Sequence, residues 1–135
     1  MRQILTFLLL LSVLGFYSRP AFAQDGKAAS DKVALALGRA DATALGPLLA
    51  ERLDLELPGK EGIYSRTQAS IILRDFFREH PVSGFSLRHS GNSGEGATYA
   101  IGSYATPARS FRVYYLMKRS GGAFLVHQLR FEPEN

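Results

Sequence analysis

The sequence predicts one α+β domain, helices leading and an antiparallel sheet following, in the order α-α-β-α-β-β-β-β. Three observations carry this. Arg52-Leu53-Asp54-Leu55-Glu56-Leu57 alternates charge and leucine without a fault, the period of a half-buried strand. Ser65-Arg66-Thr67-Gln68 is a capping box ahead of apolar residues spaced by three and four, which marks an amphipathic helix. From Phe85 onward, four runs rich in aromatic and β-branched residues are separated by turns bearing Gly or Pro. The 135 residues, 46% hydrophobic and 21% charged, suffice for a single domain with its own core.

The chain opens on a leader. Arg2 precedes the apolar run Ile4 to Leu14, broken only by Thr6 and Ser12, and Ala21-Phe22-Ala23 puts small residues where a signal peptidase reads them. A signal peptide over 1–23 is expected, with cleavage between Ala23 and Gln24, export to the periplasm or the exterior, and a mature domain over 24–135. The apolar run is short of the ~20 residues a bilayer span needs, so no stable membrane span is expected after cleavage.

Gln24 to Ser30 reads as a short polar linker. Val33, Ala34, Ala36 and Leu37 then lie on helical spacing, stopped by Gly38. Asp41 is placed to cap a second short helix carrying Ala44, Leu45, Leu48 and Leu49, with Pro47 disturbing its middle. After the alternating strand, Pro58-Gly59 opens a turn over 58–64. The capped helix sets Ala69, Ile72, Leu73, Phe76 and Phe77 on one face and Arg66, Arg74, Asp75, Arg78 and Glu79 on the other. Burying its four large side chains is worth about 1.5–3 kcal/mol each. His80-Pro81 ends it, because a residue before proline avoids helical geometry.

The remaining strands are read at Phe85 to His89, Ala97 to Thr106, Ser110 to Lys118 and Ala123 to Phe131. A Gly-rich loop over Gly91 to Gly96 and a hairpin turn at Ser120-Gly121-Gly122 separate them. Both phases of the last two strands carry apolar side chains: Phe111, Val113 and Tyr115 against Tyr114 and Leu116, then Phe124 and Val126 against Leu125, Leu129 and Phe131. A sheet with one wet face would not need that, so its second face is expected to be covered by a long loop or by a second subunit, a homodimer through the sheet.

Sixteen basic residues stand against twelve acidic ones; losing Arg2 and Arg19 with the leader leaves fourteen against twelve, a net charge of +2. That is too mild for a nucleic-acid binder. With no cysteine, a disulfide framework, a cysteine zinc site and a thiol nucleophile are excluded. His80, His89 and His127 are scattered with no metal-ligand spacing, and no cofactor is expected. The Gly91–Gly96 segment lacks the following helix and the Lys-Ser/Thr ending of a phosphate cradle. Around Ser93 a nucleophile elbow fails because Glu95 occupies the second glycine position.

Gly38-Arg39-Ala40-Asp41-Ala42-Thr43-Ala44-Leu45 resembles the joint between the first two helices of the nuclear transport factor 2-like superfamily, whose cystatin-like sheet curves into a cone around its helices. The chain is also similar to a family of short secreted bacterial proteins of unknown function. Leu53-Asp54-Leu55-Glu56-Leu57-Pro58-Gly59-Lys60-Glu61-Gly62, Tyr64-Ser65, Phe76-Phe77, Tyr99-Ala100-Ile101-Gly102 and Phe111-Arg112-Val113-Tyr114 carry that similarity. It implies a cone-shaped domain over the whole mature chain and carries over no catalytic residue.

The family transfers no activity, but two readings of function are open: a concave cone mouth is a default place for a ligand, and members of the wider superfamily can be isomerases or dehydratases. The first is binding of a small molecule or an envelope protein without catalysis, at a cone mouth rimmed by 58–64 and the sheet, or on the sheet itself. Tyr64, Tyr99, Tyr115 and Arg112 are its candidate ligand-binding residues. The alternative is an isomerase- or dehydratase-like enzyme with an acid–base pair inside the cone, for which Asp54, Tyr64, Tyr99 and His127 are the candidate catalytic residues. That chemistry needs a carboxylate or histidine facing an apolar cavity within reach of a tyrosine.

Overall fold

The computed structural model describes residues 21–94 and 96–135. Residues 1–20, which hold most of the expected leader, lie outside the described residues, as does Glu95.

Helix α1 (Ala21–Gly38) runs straight through the segment read as a linker. The correction has a steric reason. Gly26, Ser30, Val33 and Leu37 fall on one helical stripe, and all four are buried. A Cβ on Gly26 would stand 2.6 Å from Thr98 Oγ1, so the absent side chain is what lets the helix press against the sheet. Residues that looked like linker by composition are small because of that close approach.

The end of α1 is a Schellman turn: Asp41 N donates to Ala36 O at 3.0 Å and Ala40 N to Leu37 O at 3.1 Å. Ala40 takes the left-handed position with φ 48°. Asp41 caps α2 (Ala42–Leu45) by accepting from Ala44 N at 3.0 Å. The second helix is shorter than expected. Pro47 forces a single 3-10 turn over Gly46–Leu48, and Leu49 already belongs to strand β1 (Leu49–Leu57).

Leu53, Leu55 and Leu57 of β1 are buried as their alternation predicts. The segment 58–64 is more than a turn: Pro58-Gly59 closes a hairpin, and β2 (Lys60–Ser65) returns antiparallel along β1. Ser65 then caps α3 (Arg66–Glu79) with both halves of the capping box formed, Gln68 N donating to Ser65 Oγ at 3.1 Å and Ser65 N to Gln68 Oε1 at 3.2 Å. Ala69, Leu73, Phe76 and Phe77 are buried beneath it, and Ile72 is half-buried.

Strands β3 (Gly84–Ser93), β4 (Ala97–Ala105), β5 (Ser110–Ser120) and β6 (Ala123–Pro133) form an antiparallel meander. Gly91, Asn92 and Ser93 are strand residues paired with Tyr99, Thr98 and Ala97, so the expected Gly-rich loop shrinks to its last residues. The six strands make one curved, unclosed sheet in the order β2-β1-β6-β5-β4-β3, with β1 parallel to β6 and every other pair antiparallel. The helices lie along its inner face, α1 over β3 and β4 and α3 over β1 and β2.

Besides a register shift between Leu49 and Asp54 of β1 against β6, two irregularities shape the meander, one between Leu87 and His89 of β3 and one opposite Leu116 and Met117, where His127 has no partner on β5. Bulges sharpen strand twist and bend, which a sheet curling around helices requires. The second also corrects the two-phase reading of β6. Beyond His127 the alternation changes phase, so Phe124, Val126, Leu129 and Phe131 are all buried on the inner face. β5 does carry large apolar groups on both faces, and among the described residues no helix or loop buries the outer ones: Tyr114 and Leu116 are half-buried.

Candidate functional site

The concave interior, where the resemblance would put a ligand, is filled by aromatic rings. Phe76 sits at its centre, with ring centroids 5.3 Å from Phe111, 4.9 Å from Phe131 and 6.3 Å from Tyr104. Phe77 stacks on Tyr104 at 5.8 Å, and the His80 imidazole lies 4.6 Å from Phe76 and 5.0 Å from Phe111. Helix spacing brings Phe76, Phe77 and His80 to one end of α3. The pairing of Tyr104 with Phe111 in the ladder supplies the sheet side. Tyr104 donates to His80 O at 2.7 Å, and burial pushes its phenol up to about 12.

Tyr115 lies deeper along the same face. Its hydroxyl donates to Ser30 O at 3.1 Å and shares a hydrogen bond with Ser30 Oγ at 3.0 Å. Burial raises its pKa too, partly offset by that Ser30 contact. Both phenols are therefore neutral structural groups with satisfied hydroxyls. The buried polar residues among those described are Ser30, Thr98 and Ser103; none is a carboxylate or a histidine.

The other candidates do not converge. Tyr64 is on β2, facing inward beside Leu53, while Asp54 is paired with Ile63 and exposed on the outer face. Asp54 and Tyr64 thus point to opposite sides of the sheet. Tyr99 shares the outer face with Asp54, but Gln128 of β6 and Leu116 of β5 stand between them, a separation of roughly 14 Å at the spacing of neighbouring strands. Tyr99 meets His89 instead, with hydroxyl and Nε2 2.8 Å apart. Arg112 is exposed on the outer face between Ser103 and Glu132.

His127 occupies the β6 bulge. Its Nε2 is shut away from solvent without a hydrogen-bond partner among the described residues, and its pKa is lowered, first by burial and then by the Lys118 charge. Among the described residues no carboxylate pairs with it to make it a base. Among the described residues no cluster of His, Asp and Glu could hold a metal ion, and no helix is long and apolar enough to cross a membrane.

Open space next to the inner face includes a polar groove of about 260 Å³ between α1 and β3, lined by Ser30, Asp31, Asn92 and Thr98 among others. It lies at the β3 edge of the sheet, opposite the 58–64 segment expected to rim the mouth.

Sequence reasoning missed the ionic organisation of the outer face. Arg130 Nε stands 2.6 Å from Glu56 Oε2, close enough for an ion pair though not aligned as a hydrogen bond, and 3.8 Å from Glu132. Glu134 ties Arg88 at 2.9 Å and Ser103 at 3.1 Å. Apart from Glu132, two residues along β6 from Arg130, each partner is distant in sequence, so only the ladder register reveals them.

Comparisons with known proteins agree with this architecture. A crystal structure of a DUF4783 family protein from Bacteroides ovatus superposes with a TM-score of 0.73 at 28% identity, covering 77% of this chain and 94% of that one. One from Bacteroides uniformis gives 0.73 at 24%, covering 78% and 96%. An NTF-2 like protein of unknown function from Burkholderia xenovorans shares the fold at a TM-score of 0.64 and 16% identity, over 86% of this chain and 89% of that one. Among curated proteins none matches. Residues 30–132 match the model of the domain of unknown function DUF4783, so this α+β chain, with its NTF2-like curved sheet, belongs to the DUF4783 family.

Proposed function

We propose that this protein is an exported, non-catalytic binding domain that works through the outer face of its sheet, and that its first partner there is a second copy of itself. The observation behind this is the contrast between a filled interior and an uncovered apolar row. Ile101, Tyr114 and Leu116 are half-buried in the middle of the outer face, and Ile63 at its edge is 66% exposed. Such side chains on a face with no intramolecular cover favour association.

Charge supports self-pairing. Asp54 and Glu56 lie on β1, Arg112 and Lys118 on β5, with β6 between them. A two-fold axis along β6 sets β1 of one copy over β5 of the other, so Asp54 comes near the basic strand, while Arg52 shares its row and Glu56 is held by Arg130. The acid–base alternative has no supporting geometry among the described residues, since Asp54 and Tyr64 face apart.

Native mass spectrometry and sedimentation of the processed protein test the reading together. The expected result is a dimer without retained substrate-like mass, dispersed by Ile63→Glu and by Leu116→Glu. A monomer at high micromolar concentration would overturn self-pairing. Turnover of a small carbonyl or hydroxyacid substrate would overturn the non-catalytic assignment.

A further inference from the structure

We infer that the helical side of the molecule, opposite the sheet's outer face, binds a single amphiphilic anion: a carboxylate or phosphate head joined to a short apolar chain. Two adjoining grooves make the site. One, of about 410 Å³, lies between the α1–α2 joint and the C-terminal half of α3 and counts Arg39, Arg74 and Arg78 among its lining residues. The other, of about 230 Å³, runs between α1 and α2 and is floored by Leu35, Ala36, Ala44 and Leu48. Arg39 and Asp41 line both, so head and chain of one molecule can occupy the two at once.

The charge balance in the first groove is strongly one-sided. Its only lining carboxylate among the described residues, Asp41, is already engaged in accepting from Ala44 N at 3.0 Å. No ion pair among the described residues involves Arg39 or Arg78, and Arg74 has only Asp75 at 3.7 Å, with both side chains more than half exposed. Such an exposed pair contributes little and is easily exchanged for a ligand. Helix dipoles favour Arg39 just past α1 and Arg78 in the last turn of α3. They do not explain why three guanidinium groups share one groove, or why that groove borders an apolar one.

Guanidinium forks match carboxylate and phosphate oxygens bidentately. In the second groove Leu35 is 56% exposed, apolar surface that a ligand chain would remove from water. The arginine groove is shallow and open, whereas the apolar one is the more enclosed of the two and is sized for the short chain of a free molecule. This site shares no residue with the outer sheet face, so its failure and that of the proposed pairing are separately visible.

The test is calorimetric titration of the processed protein with monomeric octyl phosphate, with inorganic phosphate and with octanol. Octyl phosphate is expected to bind at least about tenfold more tightly than either fragment alone. Arg74→Gln and Arg78→Gln should each weaken it by about tenfold. Leu35→Ser should bring octyl phosphate down to the level of inorganic phosphate and leave phosphate itself unchanged. Arg112→Gln, on the other side of the molecule, should change nothing. Octyl phosphate binding no more tightly than inorganic phosphate, or unaffected by the α3 arginine variants, would overturn the site. So would binding to phosphatidylglycerol vesicles without binding to monomeric octyl phosphate.

Discussion

The two faces of the same sheet are built from the same strands yet do different work. On the inner face Phe111, Val113, Tyr115 and Met117 of β5 are each 1% exposed or less, locked against α1 and α3. One residue out of phase, Arg112, Tyr114, Leu116 and Lys118 form a half-buried or exposed row beside the Glu56–Arg130 pair. A core excludes water by filling space, and here it fills the volume in which a related fold could hold a ligand. What remains available for recognition is surface. Stability should therefore reside on the inner face of the sheet and recognition on surfaces outside it, the outer face among them, and that division can be broken experimentally.

The largest effect is expected at the centre of the aromatic cluster. Phe76→Ala removes a ring that touches five others, and should cost roughly 3–5 kcal/mol in urea unfolding. Tyr114→Ala on the outer face should cost about 1 kcal/mol or less in the monomer. A Tyr114→Ala loss that grows with protein concentration would come from pairing, and would sharpen the comparison. Equal losses at both positions, independent of concentration, would break it.

The faces should also part on the pH axis. Below the ordinary tyrosine value of 10.0, Tyr104 is neutral in folded and unfolded chains alike. Above it the unfolded chain ionises first, so stability falls as pH rises from 10.0 toward about 12. For this fully buried phenol the loss is on the order of 2–3 kcal/mol, and Tyr104→Phe should flatten that alkaline limb even though it starts from a lower plateau. His127 on its bulge acts at the other end. Its folded pKa lies below the ordinary 6.5, so the unfolded chain takes up the proton first and stability falls as pH drops through 6.5. Thermal midpoints from pH 8 to 5 should fall less steeply for His127→Gln.

Which of these features could be read from sequence depends on how local their cause is. The β1 alternation, the Ser65 box and the apolar stripe of α3 are set by neighbours within four residues, and all three form as read. The errors share a non-local cause. Gly26 and Ser30 look like linker because small residues carry no hydrophobic signal, but their smallness serves contact with Thr98 and Tyr115, far along the chain. Lys60–Ser65 reads as a turn because an edge strand is exposed, and its pairing with β1 leaves little burial pattern. The His127 bulge is invisible to a period-two reading, which assigns Leu129 and Phe131 to the outer face. At the candidate site, sequence supplied the residues but not their sides. Asp54 and Tyr64 are ten apart in sequence, and the hairpin register sends them to opposite faces.

Smaller effects check that the helical layer belongs to the stable side of the division. Ser65→Ala removes the acceptor for Gln68 N and should cost about 1 kcal/mol, with no change in self-association. A change in oligomer mass for this variant would mean that α3 communicates with the outer face.

The smallest expected effect is at Ala40, the one non-glycine residue with positive φ among those described. A side chain in the left-handed region costs roughly 1–2 kcal/mol, which glycine would relieve. Against this, the Ala40 methyl packs at the edge of the core, and losing one partly buried methyl costs less than about 0.8 kcal/mol. Glycine also loses more backbone entropy on folding, about 0.5–1 kcal/mol. These contributions nearly cancel, so Ala40→Gly should shift stability by less than about 1 kcal/mol. A larger loss in urea unfolding would mean that the Ala40 methyl holds the α1–α2 joint in place. The joint, and the arginine groove beside it, would then depend on packing more than on the Schellman hydrogen bonds.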